Sequence, residues 1–234
     1  MRQIFLDTET TGLNAQGGDR IVEIGCVEMV GRRLTGDNRH FYLNPQRPSH
    51  PDALRVHGLT DAFLADKPPF EAIADELLRY LAGAELVIHN APFDIGFLDE
   101  EFKRCGLPGV AGQVAQITDS LLLARERFPG KSNSLDALCR RLEVDNSNRT
   151  LHGALLDAGL LAEVYVGMTR GQGSLVIDET EQRDASGAVE VVDLSSFDLP
   201  VLQPSDDELT AHRAVLADID KASRGKLLWQ ADLA

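Results

Sequence analysis

Along the first 170 residues the apolar positions switch from a strand-like to a helical period. RQIFLDTE (2–9) is a short apolar run that predicts a strand buried on both faces. RIVEIGCVEMV (20–30) and RLTGDNRHFYLN (33–44) follow as β-rich runs separated by the turn-forming Gly31-Arg32, so the three together predict an antiparallel meander. Phe70, Ile73, Leu77, Leu78 and Leu81 then fall at offsets 0, 3, 7, 8 and 11, one face of a helix that starts after Pro68-Pro69 and stops near Gly83. ELVIH (85–89) reads as a strand, Pro92 to Cys105 as a helix stopped by Gly106 and Pro108, and QVAQITDS (113–120) as a further strand. Leu121 to Phe128, Ser134 to Leu142 and Leu155 to Met168 read as helices. Three meander strands followed by alternating helix and strand predict an α/β fold, a mixed five-stranded sheet flanked by helices. After Gly171 the pattern weakens into a Gly, Ser, Asp and Glu-rich stretch, one helix from Ser205 to about Ala222, and a terminal LLWQADLA. The expected organisation is one folded domain over residues 1–170 and a linker with a docking segment over 171–234; a second packed subdomain is the alternative.

Composition narrows the class. A chain of 234 residues, 43% hydrophobic, can bury one core and a smaller appendage. No run approaches the roughly 18 apolar residues of a membrane span, and MRQIFLDTET lacks the basic region and cleavage site of a signal peptide, so a cytoplasmic location is expected. Cys26, Cys105 and Cys139 are odd in number, widely spaced and set in apolar runs, which predicts reduced core thiols and no sulfur-held metal. The formal charge of −14 argues against a protein that grips a long stretch of nucleic acid unaided. It leaves room for a small site at a strand end, served by a partner that holds the duplex. Residues 171–234 carry 13 acidic against 5 basic residues, a net of −8, which leaves −6 for residues 1–170. No GxGxxG follows a strand, and Gly130-Lys131-Ser132 is not a phosphate loop because Arg125 stands where that motif needs glycine.

The candidate chemistry lies in acids placed on apolar stripes. Phe5, Asp7 and Glu9 share one strand face by the two-residue period. Asp94 lies three and four residues before Phe97 and Leu98, and Asp157 heads the series Leu160, Leu161, Val164, Tyr165 and Met168 at offsets 3, 4, 7, 8 and 11. One such acid is ordinarily a helix cap or a first-turn residue that complements the helix dipole. Four that converge would repel one another unless a cation neutralises them, and no Lys or Arg sits on these stripes. Carboxylates without sulfur suit Mg²⁺ or Mn²⁺, and two such ions roughly 4 Å apart are a common arrangement for phosphodiester hydrolysis. His152 stands five residues before Asp157, a rotation of roughly 140° on a helix, so it is expected in the loop or first turn ahead of that helix, reaching in from the side as a base.

DTETTG (7–12), HNAPFD (89–94) and HGALLD (152–157), in this order, resemble the three motifs of the DEDDh exonuclease superfamily. The resemblance covers roughly residues 1–170 and implies an RNase H-like fold and 3′→5′ hydrolysis of a terminal phosphodiester. It implies that Asp7, Glu9, Asp94 and Asp157 hold two divalent cations, Asp7 touching both, and that His152 is the general base. VHGLTDAFLADKPPF (56–70), NSLDALCRRLEVDNSNRTLHGALLDA (133–158) and the length of the tail are similar to the epsilon-subunit family of bacterial DNA polymerase III. That similarity implies substrate contacts from Asp7, Thr8, Glu9, Asp52, His57 and Asp157, with His57 and Asp52 beside the terminal nucleotide. Read without it, His57 is a turn residue before Gly58, and Asp52 a first-turn acid after Pro51. It further implies docking of the tail on the polymerase alpha subunit, sliding-clamp binding through QGSLVI (Gln172 to Ile177), and in some bacteria a small third core subunit. The implied function is proofreading at a single-stranded DNA 3′ end. The rival readings are a stand-alone RNA exonuclease of the same superfamily, which would have little use for the tail, and an inert polymerase and clamp scaffold, against which all five catalytic positions are filled.

Overall fold

The computed structural model describes residues 1–147, 151–169 and 203–223. The chain divides into two units, Met1–Val176 and Ile177–Ala234. In the first, strand β1 (Arg2–Thr10) is central, paired antiparallel along its length with β2 (Ile21–Val30) and parallel with β5 (Glu85–Ile88), which pairs in turn with β6 (Gln116–Asp119). The far side of β2 carries β3 (Arg33–Leu34) beside Met29 and Val30, and β4 (Arg39–Tyr42) beside Glu23 to Cys26. The expected five strands are therefore six, because the third meander strand is broken. Gly36 turns at φ +82° and Asn38 N–H bonds back to the Gly36 carbonyl, so residues 35–38 leave the ladder and two short strands share one edge.

The two faces of this sheet are covered by different helices. Ile4, Leu6, Ile24 and Leu86 face α3 (Ala74–Leu81) and α4 (Ala91–Arg104), packing with Leu77, Leu81, Phe97, Leu98 and Phe102. Phe5, Val27, Met29 and Val87 face α7 (Ala154–Thr169) through Ala158, Leu161 and Ala162. Helices α5 (Ser120–Arg127) and α6 (Leu135–Leu142) extend the second layer, joining α7 through Ala124, Leu138 and Leu160. Each fully buried Leu, Ile or Phe in these layers contributes about 1.5–3 kcal/mol. The helix expected over residues 70–81 starts later: Phe70–Ala72 forms a 3₁₀ turn, and α3 begins at Ala74. Pro69 enters it extended (φ −72°, ψ 164°), and the turn seats Phe70 edge-on against Phe102, ring centroids 5.1 Å apart. Two short helices, α1 (Pro51–His57) and α2 (Asp61–Leu64), fill the segment before it.

Cys26 and Cys139 are buried, Cys105 is half-buried, and none of the three forms a disulfide among the described residues; burial pushes the Cys26 thiol up to about 12. In the second unit α8 (Asp206–Ser223) occupies the span expected of the tail helix. It starts with a reciprocal cap in which Ser205 N–H donates to the Glu208 carboxylate (2.8 Å) and Glu208 N–H to Ser205 Oγ (3.3 Å). The linker, QGSLVI (172–177) and LLWQADLA (227–234) lie outside the described residues. Among the described residues no helix is long and apolar enough to cross a membrane.

Candidate active site

A cavity of about 260 Å³ opens where β1 and β5 end, and its walls include Asp7, Glu9, Asp94, His152 and Asp157. Asp7 and Glu9 stand on the α7 face of β1, as their alternation with Phe5 requires. Asp157 lies in the first turn of α7, 3% exposed, its N–H bonded to the Gly153 carbonyl. A single glycine brings this turn to the sheet. Gly25 pairs with Asp7, and a Cβ added at Gly25 would lie 2.2 Å from Ala154 C and Leu155 N. Only a residue without a side chain lets the α7 backbone rest there.

His152 precedes α7 in an irregular segment held by its own N–H, which donates to the Val56 carbonyl at the end of α1 (3.1 Å). Its Nδ1 stands 3.4 Å from Asp157 Oδ2, and its side chain is 45% exposed, so Nε2 is the ring nitrogen turned away from the carboxylate. One ligand atom each from Glu9, His152 and Asp157 lies within 4.8 Å of the others.

Asp94 arrives from the opposite layer. Asn90 takes the left-handed conformation (φ 69°, ψ 53°), which asparagine tolerates, and turns β5 sharply into α4 with Asp94 in its first turn. The hydroxyl of Thr8, on the α4 face of β1, donates to Asp94 Oδ1 at 2.7 Å. Burial raises the Asp94 carboxyl to about 7 against the opposing effect of that hydrogen bond. The site thus gathers Asp7, Glu9, Asp94 and Asp157, with Asp94 driven toward its protonated form. A hard divalent cation would relieve that arrangement, and the oxygen-rich, sulfur-free donor set fits one.

A second cavity of about 750 Å³ shares Thr8, Glu9 and Phe93 with the first. Its walls hold the two remaining expected positions, His57 and Asp52. His57 is 4% exposed, and Leu59 N–H donates to its Nδ1 (2.9 Å), which places the ring proton on Nε2. That Nε2 is buried beside the Thr10 backbone without a well-aligned hydrogen bond among the described residues, and burial lowers the pKa of the ring. Asp52 is exposed and paired with Arg55. Sequence reasoning passed over His89, Phe93, Ser134 and Asp136, which also line the first cavity. His89 and Phe93 lie inside HNAPFD and could have been found there; Ser134 and Asp136 read only as an ordinary helix cap and first-turn acid.

Residues 4–165 match the family described as Exonuclease (RNase_T). The chain is 54% identical over 241 residues to the DNA polymerase III subunit epsilon of Pasteurella multocida (strain Pm70), covering 100% of this chain and 95% of that one. It is 52% identical over 239 residues to the protein of the same name from Escherichia coli (strain K12), covering 98% of each. Among solved structures it is similar to Exonuclease X in complex with 5′ overhanging duplex DNA, with TM-score 0.55 and 27% identity over 73% of this chain and 93% of that one. The zinc-bound E. coli ExoI–ssDNA complex shares the fold, with TM-score 0.63 at 19% identity over 72% of this chain and 41% of that one.

Proposed function

The chain belongs to the exonuclease family, among relatives named DNA polymerase III subunit epsilon, and from that premise we propose that it is the proofreading 3′→5′ exonuclease of a replicative DNA polymerase. It hydrolyses the last phosphodiester of a single-stranded DNA 3′ end and releases a nucleoside 5′-monophosphate. The observation that carries this reading is the meeting of Asp7, Glu9, Asp94, Asp157 and His152 around one cavity at the end of β1.

In this reading Asp7, Glu9, Asp94 and Asp157 would hold two divalent cations, Mg²⁺ or Mn²⁺. When bound, the cations supply positive charge to the scissile phosphate and acidify the attacking water. His152 takes that water's proton at Nε2, while Asp157 Oδ2 at Nδ1 orients the ring. The new bond joins the water oxygen to phosphorus, the bond from phosphorus to the 3′ oxygen breaks, and the shortened strand keeps a 3′ hydroxyl. Thr8 fixes Asp94, and the larger cavity receives the terminal nucleoside, with His57 offering its Nε2–H and Asp52 standing at the rim. Mispaired ends reach this site more often because they unpair at lower cost.

The domain over residues 1–170 carries the chemistry, and the tail over 171–234 docks on the polymerase alpha subunit. QGSLVI (172–177) binds the sliding clamp, and the assembly works in the cytoplasm. The test is degradation of a 5′-labelled primer, paired or mispaired at its 3′ end, with Mg²⁺ or EDTA and beside an RNA strand. Metal-dependent shortening of mispaired DNA from the 3′ end is expected. Asp7→Ala and Asp157→Ala should each lose activity by at least about 10³-fold, with the fold retained. Preference for RNA would move the assignment to an RNA exonuclease, and full activity in either variant would remove the metal-site assignment.

A further inference from the structure

Among the described residues the walls of the two cavities contain no Lys or Arg. A substrate with a phosphate at every nucleotide must find positive charge elsewhere, in a chain whose formal charge is −14. Cations beside the larger cavity are already committed: Arg47 lies 3.2 Å from Asp19, and Arg55 is paired with Asp52. The charge balance reverses over residues 125–141, which hold five basic residues against two acids. Arg125 and Lys131 are exposed there and form no ion pair among the described residues.

This segment borders the first cavity. Ser134, at the end of its loop, lines the cavity together with Leu135 and Asp136, and the cavity residue His89 bonds the Asn133 backbone. The Arg125 guanidinium stands close enough to the His89 ring to oppose its protonation. The loop over 128–134 is also pre-shaped. Arg141 lies over the Phe128 ring at 4.6 Å and donates to Asn133 Oδ1 (3.0 Å) and to the Ser132 carbonyl (2.8 Å). Asn133, 8% exposed, closes the loop by donating to the Phe128 carbonyl (3.3 Å). Basic residues in a last helical turn ordinarily complement the helix dipole, which accounts for Arg125 and Arg127 at the end of α5. It does not account for Lys131, which lies beyond that helix on the braced loop.

We infer that Arg125 and Lys131, presented by the end of α5 and the 128–134 loop, bind backbone phosphates of the strand being shortened, on the 5′ side of the scissile bond. The contacts are to phosphate and carry no base preference, so they fit an enzyme that must trim any sequence. This assignment rests on the exonuclease reading above and adds to it the track by which the strand enters.

The test compares the full-length chain with its Arg125→Gln/Lys131→Gln variant on oligothymidylates of two to twelve nucleotides with a free 5′ hydroxyl, read by chromatography of the released mononucleotide. For the longer substrates KM should rise about tenfold with kcat kept within about twofold, and the slope of log(kcat/KM) against log salt should become shallower by roughly one to two. The difference should shrink toward the dinucleotide, which has no phosphate beyond the scissile one. Lys103→Gln/Arg104→Gln, which makes the same charge change on α4 residues that line neither cavity, should leave KM close to that of the parent. An unchanged KM at every length, an equal loss on dinucleotide and dodecamer, or an equal loss in the α4 variant would each overturn the proposal. Failure of the parent chain to cut DNA at all would instead sink the exonuclease reading, so the two failures are distinguishable.

Discussion

Asp94 connects the electrostatics of the site to a measurable proton. Its carboxyl is buried and raised to about 7, so between the ordinary value of 3.8 and about 7 the metal-free protein holds a proton that the unfolded chain has lost. A native group that binds the extra proton makes metal-free stability fall as pH rises through this window. A cation that needs the carboxylate must displace the proton, so metal affinity should drop as pH falls below about 7 and level off above it. Calorimetric titration with Mn²⁺ at pH 6, in buffers of different ionisation enthalpy, should report release of close to one proton, against almost none at pH 8.5. Thr8→Val removes the hydroxyl that favours the charged form at 2.7 Å and should move this transition to higher pH. Proton release that is the same at both pH values, or unchanged in Asp94→Asn, would show that the metal does not use this carboxylate.

Among the elements, the contact of α7 with β2 sets the geometry. Replacing a strand glycine by alanine ordinarily stabilises by about 0.5–1 kcal/mol, because glycine loses more chain entropy on folding. Gly25→Ala should do the reverse, since its Cβ would stand 2.2 Å from α7 backbone atoms and the first turn would have to lift. That turn carries Asp157 and follows His152, so both would withdraw from Asp7 and Glu9, and a displacement near 1 Å costs about 10²-fold in rate. A large fall in kcat with a weakened Mn²⁺ affinity is expected; a Gly25→Ala variant with parental kcat would contradict the positioning role of this contact. The same contact shows what was legible beforehand. Period 2 placed Asp7 and Glu9 on one face, and period 3.6 placed Asp94 and Asp157 on buried stripes, because each regularity is local. That Asp94 belongs to the α4 layer and Asp157 to the α7 layer was not legible, since the meeting of two layers depends on the Asn90 turn and on Gly25. Helices α1 and α2, of 7 and 4 residues, are too short to show a period, and the break between β3 and β4 depends on the conformation of one glycine. His57 therefore read as a turn residue, although α1 buries it against the larger cavity.

At the scale of the whole molecule, charge and the tail point to shared labour. A protein at −14 has little long-range attraction for duplex DNA, and the basic residues at 125 and 131 suffice only for a strand already delivered. The tail cannot supply that grip, because residues 171–234 are the more acidic part per residue. Helix α8 is 18 residues long with no residue buried; Val215 and Ile219 are 56% and 45% exposed. An amphipathic helix of that kind gains most of its stability by laying its apolar side against another surface. If that surface is the polymerase, truncation after Gly171 should leave hydrolysis of single-stranded oligonucleotides within about twofold of the parent while abolishing co-elution with the polymerase subunit. The parent's advantage on a mispaired primer-template should then appear only with polymerase present, and should exceed the gain on single strands, because tethering raises effective concentration without altering chemistry. A truncated chain that still co-elutes would place the docking surface within residues 1–171. A truncation that cuts single strands poorly would instead assign the tail to the active site, and the separation of chemistry from delivery would fail.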